Sequence, residues 1–306
     1  RRYELQFDGV FRDAEFWING FYLGNNKSGY IGVHYDITDF LKYGEDNVLV
    51  VRVDATQYEG WFYEGAGIYR HVWLNSYKDT HLIHNGTFLH STHTGDKASL
   101  TIEAEIFNEG NQANEVFLET VLKDRTGKAI HSVKSDVIQL AVLDKANIKL
   151  HLEVVEPILW DLDNPYLYKV ELFLKNQDGS LLDKIQYRHG FRTIEIKTNG
   201  VFLNGKYLKL QGVNCHQDHA GIGSALPDYM QYYRINLLKR MGVNAYRASH
   251  NPPTPEILDA CDSLGMLVMD EGIGRILRKF LIRLISCGLV QIKEYLPHGR
   301  GSTPLH

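Results

Sequence analysis

Apolar and polar residues alternate with a period of two through roughly the first 190 positions, and a helical period then replaces it. Tyr3-Glu4-Leu5-Gln6-Phe7 and Ala14-Glu15-Phe16-Trp17-Ile18 alternate as half-buried strands do. The second runs straight into Asn19-Gly20, so a hairpin is predicted there. Leu49-Val50-Val51-Arg52-Val53 and His71-Val72-Trp73-Leu74 are near-continuous apolar runs with glycine-rich connections between them. Short strands at this spacing predict a sandwich or jelly roll over residues 1–77.

Residues 78–193 repeat the pattern with longer strands. Ser99 to Ile106 and Lys169 to Leu174 alternate cleanly, and turn signals fall at Asn108 to Asn111, Asp124 to Gly127 and Asn176 to Gly179. An immunoglobulin-like sandwich is the fold this predicts. Trp160 to Tyr168 reads as a proline-anchored turn entering a strand, and Lys184 to Arg192 as the last strand of the unit. From residue 194 the period changes. Leu208 to Val213 is a predicted strand, and Met230, Ile235, Leu237, Leu238 and Met241 recur at helical spacing before Gly242. Ala245 to Arg247 is a second strand, Pro255 to Leu264 a helix with proline in its first turn and Gly265 after its end, and Met266 to Asp270 a third strand. A β-α-β-α-β order requires a parallel sheet.

Each of these three strands runs out into polar residues: GVNCHQDH over 212–219, NAYRASHNPP over 244–253 and LVMDE over 267–271. Taken together, the blocks resemble the opening of the catalytic barrel of glycoside hydrolase family 2, of the bacterial β-galactosidase type. Phe7-Asp8-Gly9-Val10, Trp17-Ile18-Asn19-Gly20 and Gly65 to Arg70 resemble the sugar-binding domain of that family, and Trp160 to Tyr168 its middle domain. The resemblance covers about 270 of the 306 residues. It implies a multidomain β plus α/β chain: a jelly-roll sugar-binding domain over 1–77, N-terminally incomplete; an immunoglobulin-like β-sandwich over 78–193; the first three strands of a (β/α)8 TIM barrel over 194–271; and an unmatched tail over 272–306.

The activity implied is hydrolysis of terminal β-galactosides with retention, with a β-glucuronidase or β-mannosidase type as the alternative inside the family. Asn214, His216, Arg247 and His250 match family positions that contact the sugar ring, and Asp270 and Glu271 stand in a supporting role. Arg247 suits a sugar physically, since its planar fork can grip vicinal hydroxyls or orient a carboxylate. Read from the residue alone, it is equally a structural partner for Glu271. Asp270 and Glu271 are adjacent on a strand and so point to opposite faces, which disqualifies them as a catalytic pair. Retention needs two carboxyl groups about 5–5.5 Å apart. In the family the acid/base glutamate follows an Asn-Glu pair after the fourth barrel strand, and the nucleophile follows a later strand. Here Asn-Glu occurs only at Asn108-Glu109 and Asn114-Glu115, in the middle domain. The expectation is therefore an enzyme fragment without turnover of its own.

Composition narrows the partners. With 44% hydrophobic and 23% charged residues the chain has the make-up of a soluble globular protein. The net charge of −4 conceals an asymmetry: residues 272–306 carry six Lys/Arg against the single Glu294, leaving −9 on the rest. An acidic body argues against nucleic acid. The tail places Ile276, Leu277, Phe280, Leu281, Leu284 and Ile285 on one helical face with arginines around it, and it reads as a shifted reading frame rather than a membrane-surface helix; four basic residues exclude a spanning segment. No membrane partner is expected. The sequence starts at Arg1 without a signal peptide, and Cys215, Cys261 and Cys287 are read as free thiols. His216 and His219 form an HxxH without a third ligand, so no metal is expected here, although the resemblance implies Mg or Na in some full-length relatives. Their magnesium positions are missing, and the galactose- and sodium-binding Asp has no counterpart near Gln57 or Glu59. A carbohydrate substrate is the expected partner, with oligomerisation open for a full-length parent and bacterial cytoplasm or periplasm as compartment. The reading from another class is a non-catalytic carbohydrate-binding β-module protein, with Trp61, Phe62 and Tyr63 stacking on sugar faces.

Overall fold

The computed structural model describes residues 1–56 and 65–271, together with the backbone of 292–293 and 303–304. The predicted tail helix, Cys287, and the aromatic run Trp61 to Tyr63 lie outside the described residues.

Two facing antiparallel sheets make the first unit, with Thr303–Pro304 added at the outer edge of Val72–Tyr77. Strand Arg2–Phe7 lies between Val33–Asp36 and Val72–Tyr77, and Ala14–Ile18 lies between Phe21–Asn26 and Leu49–Val53. Asn19 and Gly20 form the hairpin turn with φ of 51° and 86°, the left-handed pair that suits the twist of the flanking strands. Leu5 and Phe7 from one sheet meet Phe16 and Ile18 from the other in the core. The alternation misleads in one place. Glu4 and Gln6 should face solvent, yet both are buried, because the second unit covers that face and supplies His84, 3.0 Å from Glu4. Asn75 donates to both side chains from the neighbouring strand.

In the second unit a sheet of Thr80–Thr94, Lys97–Asn108 and Asp144–Val155 faces a sheet of Ala129–Lys134, Asn114–Lys123, Tyr168–Asn176 and Leu181–His189. Every second residue points inward, so that Leu100, Ile102, Ala104 and Ile106 pack among Val116, Leu118, Leu172 and Leu174. This is the immunoglobulin-like sandwich that the spacing predicts.

The third unit opens with an antiparallel sheet absent from the sequence reading: Ile194–Lys197, Gly200–Leu203 and Lys206–Leu208. The single strand expected from Leu208 to Val213 is split. Its first residue closes this hairpin, and the parallel barrel strand starts only at Gly212. Asn244 makes the break: its side chain donates to the Lys209 carbonyl and accepts from the Gln211 amide, while its own amide donates to the Gln211 carbonyl. The parallel sheet follows as Gly212–Cys215, Ala245–Ala248 and Leu267–Met269. Helix α1 (Asp228–Arg240) and helix α2 (Pro255–Leu264) cover one face, closing Ile235, Ile257, Ala260 and Cys261 over Tyr246, Ala248 and Val268. Thr254 caps α2 through its hydroxyl, and Gly265 ends it at φ 75°. Among the described residues no helix is long and apolar enough to cross a membrane.

Trp160 joins the second and third units. It is fully buried with Leu203 and Leu267, donates from Nε1 to the Asp262 carbonyl at 2.8 Å, and lies under the Arg192 guanidinium at 4.1 Å. Asn204 from the hairpin donates to its carbonyl. The segment read as a simple turn is thus the plug between sandwich and barrel sheet.

Candidate functional site

The side of the parallel sheet away from the helices has two levels. At the start of the strands Ala245 and Leu267 pack onto Leu203, Leu208 and Trp160, which gives an apolar floor. Two residues further along, the register sets Asn214 beside Arg247, and the side chains turn polar. Parallel strands carry their functional groups at these C-terminal ends, where loops converge and the helices do not cover.

Arg247 organises the cluster. Its Nε donates to Glu271 Oε1 at 2.7 Å, and Nη2 lies 2.5 Å from the same oxygen. Nη1 donates to Asn214 Oδ1 at 3.3 Å. The second carboxylate oxygen of Glu271 accepts the His250 amide at 2.7 Å and has the His250 ring 3.5 Å away. His250 holds φ at 70°, a conformation a non-glycine residue adopts at some cost, and the hydrogen bond to Glu271 helps hold it there. The His216 and His250 rings lie with centroids 5.3 Å apart, their planes tilted by 48°. Burial, and after it the neighbouring His250, hold the His216 imidazole below its ordinary value against the pull of Asp218, with Arg247 adding a smaller push downward. A neutral His216 both donates and accepts hydrogen bonds, which suits a hydroxyl-rich ligand.

Asn214, His216, Arg247, His250 and Glu271 are thus brought together, and both readings of Arg247 describe the same side chain: it is paired with Glu271 and still faces the open side with Asn214. Asp270 stands apart. Burial pushes its carboxyl up, and Oδ1 is buried without a hydrogen-bond partner among the described residues. The two Asn-Glu pairs of the middle domain do structural work: Asn108 donates to the Gln112, Leu140 and Ala141 carbonyls and Glu109 pairs with Arg2, while Asn114 donates to the Thr80 hydroxyl and the Glu115 carbonyl accepts the Gln177 amide.

Several residues that hold the cluster in place escaped the sequence reading. Gln217 is buried directly behind His216 and donates to the Pro252 carbonyl at 2.5 Å. Arg234 on α1 donates to the carbonyls of His216 at 2.6 Å and Gln217 at 3.4 Å. Arg70, from the first unit, donates to Gln217 Oε1. Gln217 sits inside the GVNCHQDH block, and Arg70 closes the Gly65 to Arg70 segment, so each lay within a motif without being singled out. Among the described residues, one group has donor atoms suited to a cation: His71, Asp228 and Glu256, with ligand atoms within 4.8 Å of one another at the contact between the first and third units. His71 and Asp228 already satisfy each other through a 2.9 Å hydrogen bond.

Two β-sandwiches lead into a parallel sheet with a polar cluster at its strand ends, a modular architecture whose class the sequence comparisons define. Three family models follow the chain in order: "Glycosyl hydrolases family 2, sugar binding domain" over 1–78, "Glycosyl hydrolases family 2" over 81–192, and "Glycosyl hydrolases family 2, TIM barrel domain" over 194–277. The chain belongs to glycoside hydrolase family 2. It is 37% identical over 273 residues to a beta-galactosidase of Bacteroides ovatus, a match covering 88% of this chain and 32% of that protein. A putative beta-glucuronidase of Formosa agariphila is 33% identical over 279 residues, covering 88% of this chain and 32% of that one. The crystal structure of a family 2 member from Bacteroides cellulosilyticus superposes with a TM-score of 0.85 at 36% identity, over 89% of this chain and 37% of its own. The chain therefore spans about a third of the length of these relatives.

Proposed function

We propose that this chain carries the sugar-holding half of a retaining β-glycosidase site for terminal β-galactosides, with Asn214, His216, Arg247 and His250 as the hydroxyl-binding groups and Glu271 orienting Arg247. The observation that supports this reading is the Arg247–Glu271 pair with Asn214 and His250 around it, half-exposed at the ends of parallel strands. A pyranose ring offers vicinal hydroxyls that need both donors and acceptors, and this cluster presents both within one small area.

Charge favours a neutral sugar over a uronate. Glu271 neutralises Arg247, and the two arginines behind the loops, Arg70 and Arg234, are spent on carbonyls and Gln217. A glucuronate carboxylate would find no cation left over in the described part of the cluster, and burying it unpaired is costly. The relatives named as glucuronidases keep the uronate as the competing substrate. Turnover is a separate matter: the retaining route needs a nucleophile and an acid/base, and Glu271 is already committed to Arg247.

Saturation-transfer NMR of the 306-residue chain with methyl β-D-galactoside and methyl β-D-glucuronide tests the reading. Galactoside signals that Arg247→Ala abolishes are expected, with a weaker response to the glucuronide. Preference for the glucuronide, or binding that survives Arg247→Ala, would overturn it. No release of nitrophenol from a nitrophenyl β-galactoside is expected above the Arg247→Ala background.

A further inference from the structure

The loops that carry His216 and His250 do not rest on the barrel sheet alone. Arg70 reaches them from the first unit. Its Nη1 donates to the Tyr30 carbonyl at 3.0 Å and its Nη2 to Gln217 Oε1. Gln217, 8% exposed, passes the connection on through Nε2 to the Pro252 carbonyl at 2.5 Å. Gln217 follows His216 directly, and Pro252 lies two positions after His250. One side chain of the sugar-binding domain is therefore hydrogen-bonded into the His216 loop and, through Gln217, linked to the His250 loop. A guanidinium serves this purpose because its donors diverge at fixed angles, so that one face can hold its own domain while another holds a second.

The route of the Arg70 stem is also built in. A Cβ placed on Gly9 would lie 2.6 Å from Arg70 Cδ and 3.0 Å from the Tyr69 ring, so the stem passes only because position 9 is glycine. The guanidinium carbon lies 5.0 Å from the Tyr69 ring centroid, which fixes its direction.

We propose that Arg70 is a positioning residue for the sugar subsite: through Gln217 and Pro252 the sugar-binding domain sets the spacing of His216 and His250. The functional meaning of that spacing rests on the reading of this cluster as a galactoside site, while the coupling itself is a property of the protein without ligand. Arg234 holds the same loop from α1 but reaches only the His216 and Gln217 carbonyls, so it leaves the His250 side untouched.

The test follows the His216 and His250 imidazole signals by NMR pH titration in the whole chain, for wild type, Arg70→Lys, Arg70→Ala, Gln217→Leu and the Arg70→Ala/Gln217→Leu double variant, alongside methyl β-D-galactoside affinity. Arg70→Ala and Gln217→Leu should each move the His216 titration back towards the ordinary imidazole value and weaken the galactoside about tenfold, the loss of one charge-assisted bond. The double variant should be no worse than either single one, because both break one relay. Arg70→Lys should restore part of the effect. Unchanged titrations in a folded Arg70→Ala chain would overturn the proposal. If that variant does not fold, Gly9→Ala displaces the stem while keeping every hydrogen-bonding group, and the same shifts are expected; their absence there overturns the proposal too. A wild-type chain that binds no galactoside defeats the sugar reading alone, since the titrations still decide the coupling.

Discussion

Replacing Trp160 by alanine should cost about 4–5 kcal/mol, the upper part of the range for emptying a fully buried tryptophan site. The magnitude follows from what the side chain touches. It is 0% exposed, so all of its surface contributes to burial. Its Nε1 donor satisfies the Asp262 carbonyl at 2.8 Å in a buried bond, and that bond adds about 1 kcal/mol. Above the ring sits Arg192, 7% exposed, whose charge is otherwise answered by Asp262 at 3.4 Å; removing a desolvated cation–π contact costs about 2 kcal/mol more. Relaxation of the hairpin carrying Leu203 recovers part of this, which keeps the total below the sum. Trp160→Phe separates the contributions: it preserves a ring under Arg192 and loses the N–H, so about 1–3 kcal/mol is expected. Urea titrations followed by circular dichroism and by tryptophan fluorescence give both values, and coincidence of the two probes checks that the units unfold together. A Trp160→Ala loss under about 1 kcal/mol, well short of the usual cavity cost, would mean that the two units are not joined by this plug.

Other residues yield equally direct expectations. Gly265→Ala should lower stability by at least about 2 kcal/mol, since the position holds φ 75° and a Cβ would lie 2.2 Å from the Leu162 carbonyl oxygen, which is backbone and cannot swing away; a thermal melt within a degree of wild type contradicts the packing described. Glu4 gives a pH dependence. Burial pushes its carboxyl up, but His84, with His34 and Asn75, outweighs that and brings it from 4.5 down to about 2. A depressed acid stabilises above its unfolded value and loses that stabilisation as pH falls through the folded one, so about 3 kcal/mol should disappear between pH 4.5 and 2. Glu4→Gln should flatten this acid limb, and an unchanged slope in urea midpoints over that range would refute the assignment. Asn244→Ala should cost about 0.5–1.5 kcal/mol by handing the exposed Lys209 carbonyl and Gln211 amide to water; amide hydrogen exchange at Gln211 and at Gly212–Cys215 should rise with it, and protection equal to wild type there would show that Asn244 does not set the strand's start.

Local pattern carried far in the two sandwiches because their strands are two-faced. Leu100 to Ile106 and Ala14 to Ile18 announce their buried positions by alternation alone, and Asn19-Gly20 announces its turn. Pattern failed where a third surface arrives. Nothing around Glu4 and Gln6 shows that a second sandwich will cover them, nor does the apolar stretch Leu208 to Val213 show that Asn244 will cut it in two. At the candidate site the strand-end residues Asn214, Arg247 and Glu271 stand out because polar groups there follow apolar strands at once. Arg70 does not, being 147 positions from the Gln217 it contacts, and only the folded arrangement of the two units brings them together.

The two levels of the parallel sheet have a consequence for how this protein can change. Along one short strand, Ala245 meets the floor while Arg247 meets the open rim, so neighbouring inward positions answer to different demands. Random replacement at Asn214 and His250 would alter what the rim grips while leaving the plug of Trp160, Leu203 and Leu267 intact. On the proposed sugar-holding reading, new sugar preferences are reachable in small mutational steps from this scaffold, whereas any exchange of its first unit for another must carry Arg70 and Gly9 with it or leave the rim without its outside support.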